Sequence, residues 1–323
     1  MAKILHTAKY TGLPLNILKS VVPQGFEVET LNELNRESLI SQARDAEYLL
    51  VSGRLKIDDE VLCKASNLKM IQRTGVGTDM LDLDAIKRRN IPVYINRGIN
   101  ARSVAEHTIA LMLSCLKNIP KISKDVKNGI WKKQESGLQC NELYGKRVGL
   151  VGLGEIGRLV AKYLNVFGAE VYYTDIIRSN KDLEIQYNLH FTSSFEELLP
   201  QIDILSFHCP LTETNKEILD KDRISLMKDG TIIVNTARGK LINEEDLYQA
   251  LKMGKIKSAA LDVHYNEPIN KDNPLIDLDN VILTPHIGGL AQEAFSEMLT
   301  KAVENIKRFD EGDVSQLISN RLI

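Results

Sequence analysis

Cysteine is scarce and dispersed: Cys63, Cys115, Cys140 and Cys209 stand singly, with no C-x-x-C pair. Such spacing supplies neither a disulfide framework nor a cysteine-based metal site, so reduced thiols in a cytoplasmic protein are expected and no metal is assigned. Charge of one sign is lacking too. The 41 Lys and Arg side chains stand against 43 Asp and Glu, without a long block of either, which removes the electrostatic footprint of a nucleic-acid or anionic-membrane partner. No apolar run reaches the roughly 18 residues of a membrane span. Residues 1–20 also lack the basic start, apolar core and cleavage site of a leader. Repeats and low-complexity tracts are missing. What remains is a chain of 323 residues, larger than one usual compact domain, so two domains are expected.

The stretch Lys146–Asp175 organises the rest. The apolar run Val148–Val151 reads as a buried strand and breaks into glycine where a helix begins. Gly152, Gly154 and Gly157 fall in the G-x-G-x-x-G spacing: one for the tight turn, one for close approach of amides to a pyrophosphate, one for helix–strand packing. The helix from Glu155 to Phe167 carries Ile156, Leu159, Val160, Tyr163, Leu164 and Phe167 on one stripe and points its positive end at the phosphates. A second strand, Val171–Thr174, ends in Asp175, 18 residues after the last glycine, where a carboxylate can accept from both ribose hydroxyls and repel a 2′-phosphate. NAD is therefore expected rather than NADP, although Arg178 stands three residues later. The expected cofactor set is Gly152, Gly154, Glu155, Ile156, Gly157 and Asp175. A methyltransferase would also use a glycine turn and a ribose-binding acid, so the turn alone does not name the reaction.

Residues 1–98 alternate short strands and helices, and so do residues 148–289; each pattern predicts a parallel sheet flanked by helices. Leu290–Asp310 reads as one amphipathic helix that returns to the first domain. The expected organisation is α/β throughout. A Rossmann-type doubly wound domain covers 99–289, and a flavodoxin-like substrate domain is built from 1–98 and 290–323. The helix Ser103–Leu116 is apolar over most of its circumference, which suggests a homodimer contact.

Ligands of an open parallel sheet bind beyond the carboxyl ends of its strands. Three titratable residues sit at such ends: Arg238 in N-T-A-R-G, Glu267 in D-V-H-Y-N-E-P and His286 in T-P-H-I-G-G. Hydride exchange between a nicotinamide and a hydroxyl-bearing carbon needs a matching proton transfer at oxygen, which histidine performs near neutral pH. A carboxylate would orient the imidazole and stabilise its charged form. Arginine holds a substrate carboxylate by a two-pronged fork. Taken singly, each has an ordinary structural reading; together they point to an oxidoreductase.

The sequence resembles the D-isomer-specific 2-hydroxyacid dehydrogenase family from about Met70 to Gly289. The motifs are R-x-G-V-G-x-D at 73–79, N-A-R-S-V-A-E-H at 100–107, the glycine turn, H-C-P-L-T-E-T-N from 208, N-T-A-R-G-K from 235, A-L-D-V-H-Y-N-E-P from 260 and T-P-H-I-G from 284. The resemblance implies an NAD-dependent enzyme interconverting a 2-oxo acid and a D-2-hydroxy acid, with Arg238, Glu267 and His286 as the catalytic set. It implies that Asp262 contacts the nicotinamide amide and that His208, Cys209, Pro210, Thr236 and Ala237 line the cofactor. Arg54, Val76, Gly77 and Asn100 are implied on the substrate side. The stretch S-G-R-L at 52–55 and Met80 after Asp79 depart from phosphoglycerate enzymes, which argues against that activity. At this length no added regulatory domain is expected, which argues only against the allosterically controlled type of phosphoglycerate dehydrogenase. A related corepressor, which binds NAD to control assembly, is the alternative of another class, and formate dehydrogenases place glutamine where Glu267 stands.

Overall fold

The computed structural model describes residues 1–323, except the side chain of Gln316. The chain divides into two compact units, Met1–Asn100 with Leu290–Ile323, and Ala101–Gly289.

The first unit holds strands β1 (Ala2–His6), β2 (Phe26–Thr30), β3 (Tyr48–Val51), β4 (Met70–Arg73) and β5 (Val93–Tyr94). They pair in parallel in the order β2-β1-β3-β4-β5, the flavodoxin-like arrangement. β3 and β4 are buried along their whole length, as strands covered on both faces must be; β3 reads as a continuous apolar run, while β4 also buries Gln72 and Arg73, whose side chains donate to backbone carbonyls. Helix starts follow from side-chain caps: Asn35, Asp58 and Asp82 each accept from the amide three residues on. The helix Gln292–Asp310 closes one face, packing Leu299, Ala302, Val303 and Ile306 with Ile4, Tyr48, Leu50 and Tyr94. A helix at Gly12–Val21 was not expected, because Gly12, Pro14 and the polar residues that follow interrupt its apolar period.

His6, at the end of β1, is fully buried and neither ring nitrogen has a well-formed hydrogen bond. Burial pushes its pKa down to about 4, against a smaller opposing effect of the Ala8 backbone. The unfolded chain therefore binds a proton that the folded one refuses, and stability falls as pH drops from about 6.5 toward 4. Replacing His6 by leucine should remove about 1.5 kcal/mol of the stability lost between pH 6.5 and 5. Urea unfolding at the two pH values checks this; an unchanged pH slope would contradict it.

The second unit holds β6 (Arg147–Val151), β7 (Glu170–Thr174), β8 (Leu189–Phe191), β9 (Ile204–Phe207), β10 (Thr231–Asn235), β11 (Ile256–Leu261) and β12 (Val281–Leu283). All pair in parallel in the order β12-β11-β10-β9-β6-β7-β8. Counted from β6 this is the Rossmann order with one strand added at the far edge. The order reverses at β6, so the crevice beyond its carboxyl end is the switch point at which such sheets bind ligands.

The helix Ala101–Lys117 packs within this unit. Its apolar residues Ala105, Ile109, Leu111, Met112, Cys115 and Leu116 belong to the core of its own unit, with Val148, Leu150, Val160 and Leu164. Most of its apolar circumference is thus covered within its own unit. The segment after it contains two helices, Ile119–Lys127 and Lys133–Leu138. β8 and the helix Lys181–Gln186 also escaped the sequence reading, since a strand of three residues and a helix of six carry too little periodicity.

Candidate active site

At the end of β6 the chain enters Gly152 with φ +100°, and a Cβ there would lie 2.9 Å from the Cys209 amide nitrogen and the His208 carbonyl carbon. Gly157 faces the Gly152 carbonyl so closely that a Cβ would collide with it. These two positions hold the turn flush against the 208–209 loop, and Gly154 starts the helix Glu155–Val166, whose first residue Glu155 is exposed. The Thr174 carbonyl at the end of β7 accepts from the Gly152 amide at 2.9 Å. Asp175 then reaches back: Oδ2 accepts from Leu153 N at 2.7 Å and Oδ1 from Ile177 N at 3.2 Å. A carboxylate has about four acceptor positions, so two remain for ribose hydroxyls. A cradle in which side chains are excluded, a helix N-terminus and an acid on the turn together fit a dinucleotide.

Around this turn, His208 Nε2 lies 2.9 Å from Ser206 Oγ, while Nδ1 is buried without a partner. Burial pushes the His208 pKa down to about 3 and the Cys209 thiol up to about 11, so both stay neutral. Pro210 is exposed beside them. Thr236 and Ala237 follow β10; Thr236 Oγ1 lies 2.9 Å from Thr108 Oγ1, and the Ala237 amide donates to Asn235 Oδ1 at 3.0 Å.

The three expected catalytic residues leave adjacent strands β10, β11 and β12. Asn235 clasps the first turn by donating to the Arg238 carbonyl at 2.8 Å, and Arg238 Nη1 donates to the Ala237 carbonyl at 2.7 Å. The next residue, Gly239, packs directly on the His264 carbonyl, which brings the Arg238 turn against the 264–267 loop. There His286 Nδ1 meets Glu267 Oε2 at 2.8 Å, and Glu267 Oε1 accepts from the His264 amide at 3.1 Å. Burial would raise the Glu267 pKa, but the hydrogen bond and charge of His286, with the His264 amide, outweigh it and hold the carboxyl below its ordinary value. With Nδ1 engaged, Nε2 is the nitrogen left for proton exchange.

Asp262, just past β11, has a role that sequence reasoning missed. It is 1% exposed. Its Oδ1 accepts from Thr284 Oγ1 at 2.6 Å and Ile287 N at 2.9 Å, and Oδ2 from Gly288 N at 2.8 Å; His107 Nε2 lies 3.3 Å from Oδ1. Burial opposes ionisation, yet these partners outweigh it and hold the carboxyl at about 2. The resemblance assigned Asp262 to the nicotinamide amide. Its oxygens also bracket His286, from two residues before it to two after. His286 sits at φ +59°, a left-handed conformation that costs a non-glycine residue of order 1–2 kcal/mol. The signal was an acid inside A-A-L-D-V: a carboxylate within an apolar run must be paired.

In the first unit, Arg54 is exposed on the loop after β3, and Val76 is exposed on the loop after β4. Buried Arg73 links the two loops. It donates through Nη1 to the Val51 and Ser52 carbonyls at 2.9 and 2.7 Å, and through Nε to the Gly77 carbonyl at 2.6 Å. Asn100 is the last residue of this unit's first segment, half-buried.

Residues 109–288 match the NAD binding domain of the D-isomer specific 2-hydroxyacid dehydrogenase family. The chain belongs to that family. It is 39% identical over 321 residues to the D-3-phosphoglycerate dehydrogenase of Methanocaldococcus jannaschii, covering 99% of this chain and 60% of that protein. It is 37% identical to the hydroxypyruvate reductase of Thermotoga maritima, covering 87% of this chain and 90% of the other. The crystal structure of the D-lactate dehydrogenase of Aquifex aeolicus with NAD and lactic acid superposes with a TM-score of 0.86 at 30% identity, covering 99% of this chain and 98% of that one. The chain thus spans about 60% of the first of these relatives. The family model and the glycine cradle agree on NAD as the ligand class, and no helix among the described residues is long and apolar enough to cross a membrane.

Proposed function

We propose that the chain is an NAD-dependent D-2-hydroxyacid dehydrogenase that interconverts a 2-oxo acid and the corresponding D-2-hydroxy acid. The observation that carries this reading is the 2.8 Å contact between His286 Nδ1 and Glu267 Oε2, at the carboxyl edge of the sheet whose β6–β7 turn fits a dinucleotide. A bound NADH would supply the hydride to the carbonyl carbon. Arg238 would hold the substrate carboxylate by its fork and polarise the neighbouring carbonyl. His286 would pass the proton on Nε2 to the carbonyl oxygen as the charge develops there, and take it back in the oxidising direction. Glu267, ionised, would keep the ring oriented and favour its protonated form. Val76 and Gly77 amides and Arg54 are proposed to contact substrate.

The named relatives share a 2-hydroxy or 2-oxo acid and differ in the group beyond it, so the substrate side chain is the open choice. D-3-phosphoglycerate is the second reading, favoured by the 39% identity to the Methanocaldococcus protein. The setting would be the cytoplasm, consistent with four free cysteines. The partner would be a second copy, covering Ile119, Trp131 and Leu138, which stand exposed on 119–138. The test is NADH oxidation over glyoxylate, hydroxypyruvate, pyruvate, phosphohydroxypyruvate and branched 2-oxo acids. One or more should be reduced, and Arg238→Lys should raise KM for that acid about a hundredfold, the loss of roughly 3 kcal/mol of forked, charge-assisted bonding. Uniform inertness across the panel would remove the enzyme reading and leave an NAD-binding protein of the corepressor kind.

A further inference from the structure

Arg178 is the cation nearest in sequence to Asp175 and the one feature of the nucleotide turn that speaks for NADP. Its guanidinium is already engaged. Nε donates to Glu184 Oε1 and Nη2 to Glu184 Oε2, both at 2.9 Å, a two-pronged pair, and its face lies 5.0 Å from the centre of the Phe191 ring. Arg178 is 55% exposed, and an exposed ion pair alone would open readily. Glu184 is what resists opening: its side chain is 10% exposed and Oε1 also accepts from the Tyr173 hydroxyl at 2.6 Å. Tyr173 is fully buried on β7, two residues before Asp175, and its oxygen accepts in turn from the Ser179 amide at 3.0 Å. The network therefore pins both ends of the loop that bears Asp175. Glu184 also exerts its charge on Lys181 at the start of the same helix. The other nearby guanidinium, Arg158, donates through Nε to the Leu153 carbonyl at 3.0 Å.

We propose that Glu184, positioned by Tyr173, makes the nucleotide site select NAD by withholding Arg178 from the 2′-phosphate of NADP. Asp175 supplies repulsion, and Glu184 removes the attraction that could offset it. Selectivity is a difference of affinities, and here it has both a repulsive and a sequestering component. The proposal rests on reading Gly152–Asp175 as the dinucleotide site. It goes further in predicting that removing Asp175 alone leaves NADP poorly bound.

The test is titration of NADH and NADPH by reduced-nicotinamide fluorescence, which needs no turnover. Wild type should bind NADH and strongly disfavour NADPH. Asp175→Ser should narrow the ratio of the two dissociation constants. Adding Glu184→Gln should move the ratio about a further tenfold toward NADPH, as one charge-assisted bond to phosphate would. Adding Arg178→Ala to that double variant should abolish the gain. Should Glu184→Gln prove unfolded by its melting curve, Tyr173→Phe in the Asp175→Ser background loosens the same carboxylate and should give the same shift in smaller measure. A ratio unmoved by either variant, or a gain that survives Arg178→Ala, overturns the proposal. Failure of wild type to bind NADH at all would instead overturn the dinucleotide reading itself.

Discussion

Replacing His286 by alanine is expected to lower the rate of 2-oxo acid reduction about 10³-fold, the contribution of a positioned general acid, while NADH affinity stays within about twofold of wild type. The two readouts separate because His286 lies after β12 at one edge of the sheet, whereas the glycine cradle and Asp175 lie beyond β6 and β7. Stopped-flow NADH oxidation and fluorescence titration of the same variant measure both. Glu267→Gln should fall between the two, since the imidazole keeps a hydrogen-bond partner but loses the charge that favours its protonated form. A His286→Ala enzyme with undiminished turnover would remove the imidazole from the reaction.

The second large effect is expected at Asp262, a residue that reaches His286 only through its neighbours Thr284, Ile287 and Gly288. Alanine there leaves the amides of Ile287 and Gly288 and the Thr284 hydroxyl without the acceptor they now share. Of these only the Gly288 bond is buried, and a stranded buried donor costs about 1–3 kcal/mol, so the second unit should lose about 2 kcal/mol of stability in urea unfolding. Activity should fall as well, through kcat. Without the clamp, His286 can leave its φ of +59° and carry the imidazole away from Glu267. A stable Asp262→Ala variant with normal kcat would show that the clamp neither holds the loop nor sets the histidine.

Much of this architecture was legible in the sequence because the strands of a parallel sheet are short apolar runs bounded by turns. β6 and β7 begin one residue before the runs Val148–Val151 and Val171–Thr174 read from the sequence and end with them. The Glu267–His286 pair was legible for a related reason: ligand-facing residues follow strand ends, and adjacent strands bring their loops together. What was not legible depends on contacts between residues whose spacing carries no period. Arg73 reads as part of a glycine turn, yet it holds two loops by their carbonyls. Arg178 reads as a candidate phosphate ligand until Glu184, six residues on, is seen to hold it. The helix Ala101–Lys117 reads as an interface because apolarity all round a helix signals burial without saying by what. Here its own sheet buries it.

The most direct test of the central claim is transfer of deuterium from NADH labelled at C4 of the nicotinamide to a 2-oxo acid, with the product analysed for label and configuration. The account predicts deuterium at C2 of the D-2-hydroxy acid, formed by wild type and lost in His286→Ala. Label in the L-isomer, or no transfer to any 2-oxo acid by a protein that binds NADH, would contradict it.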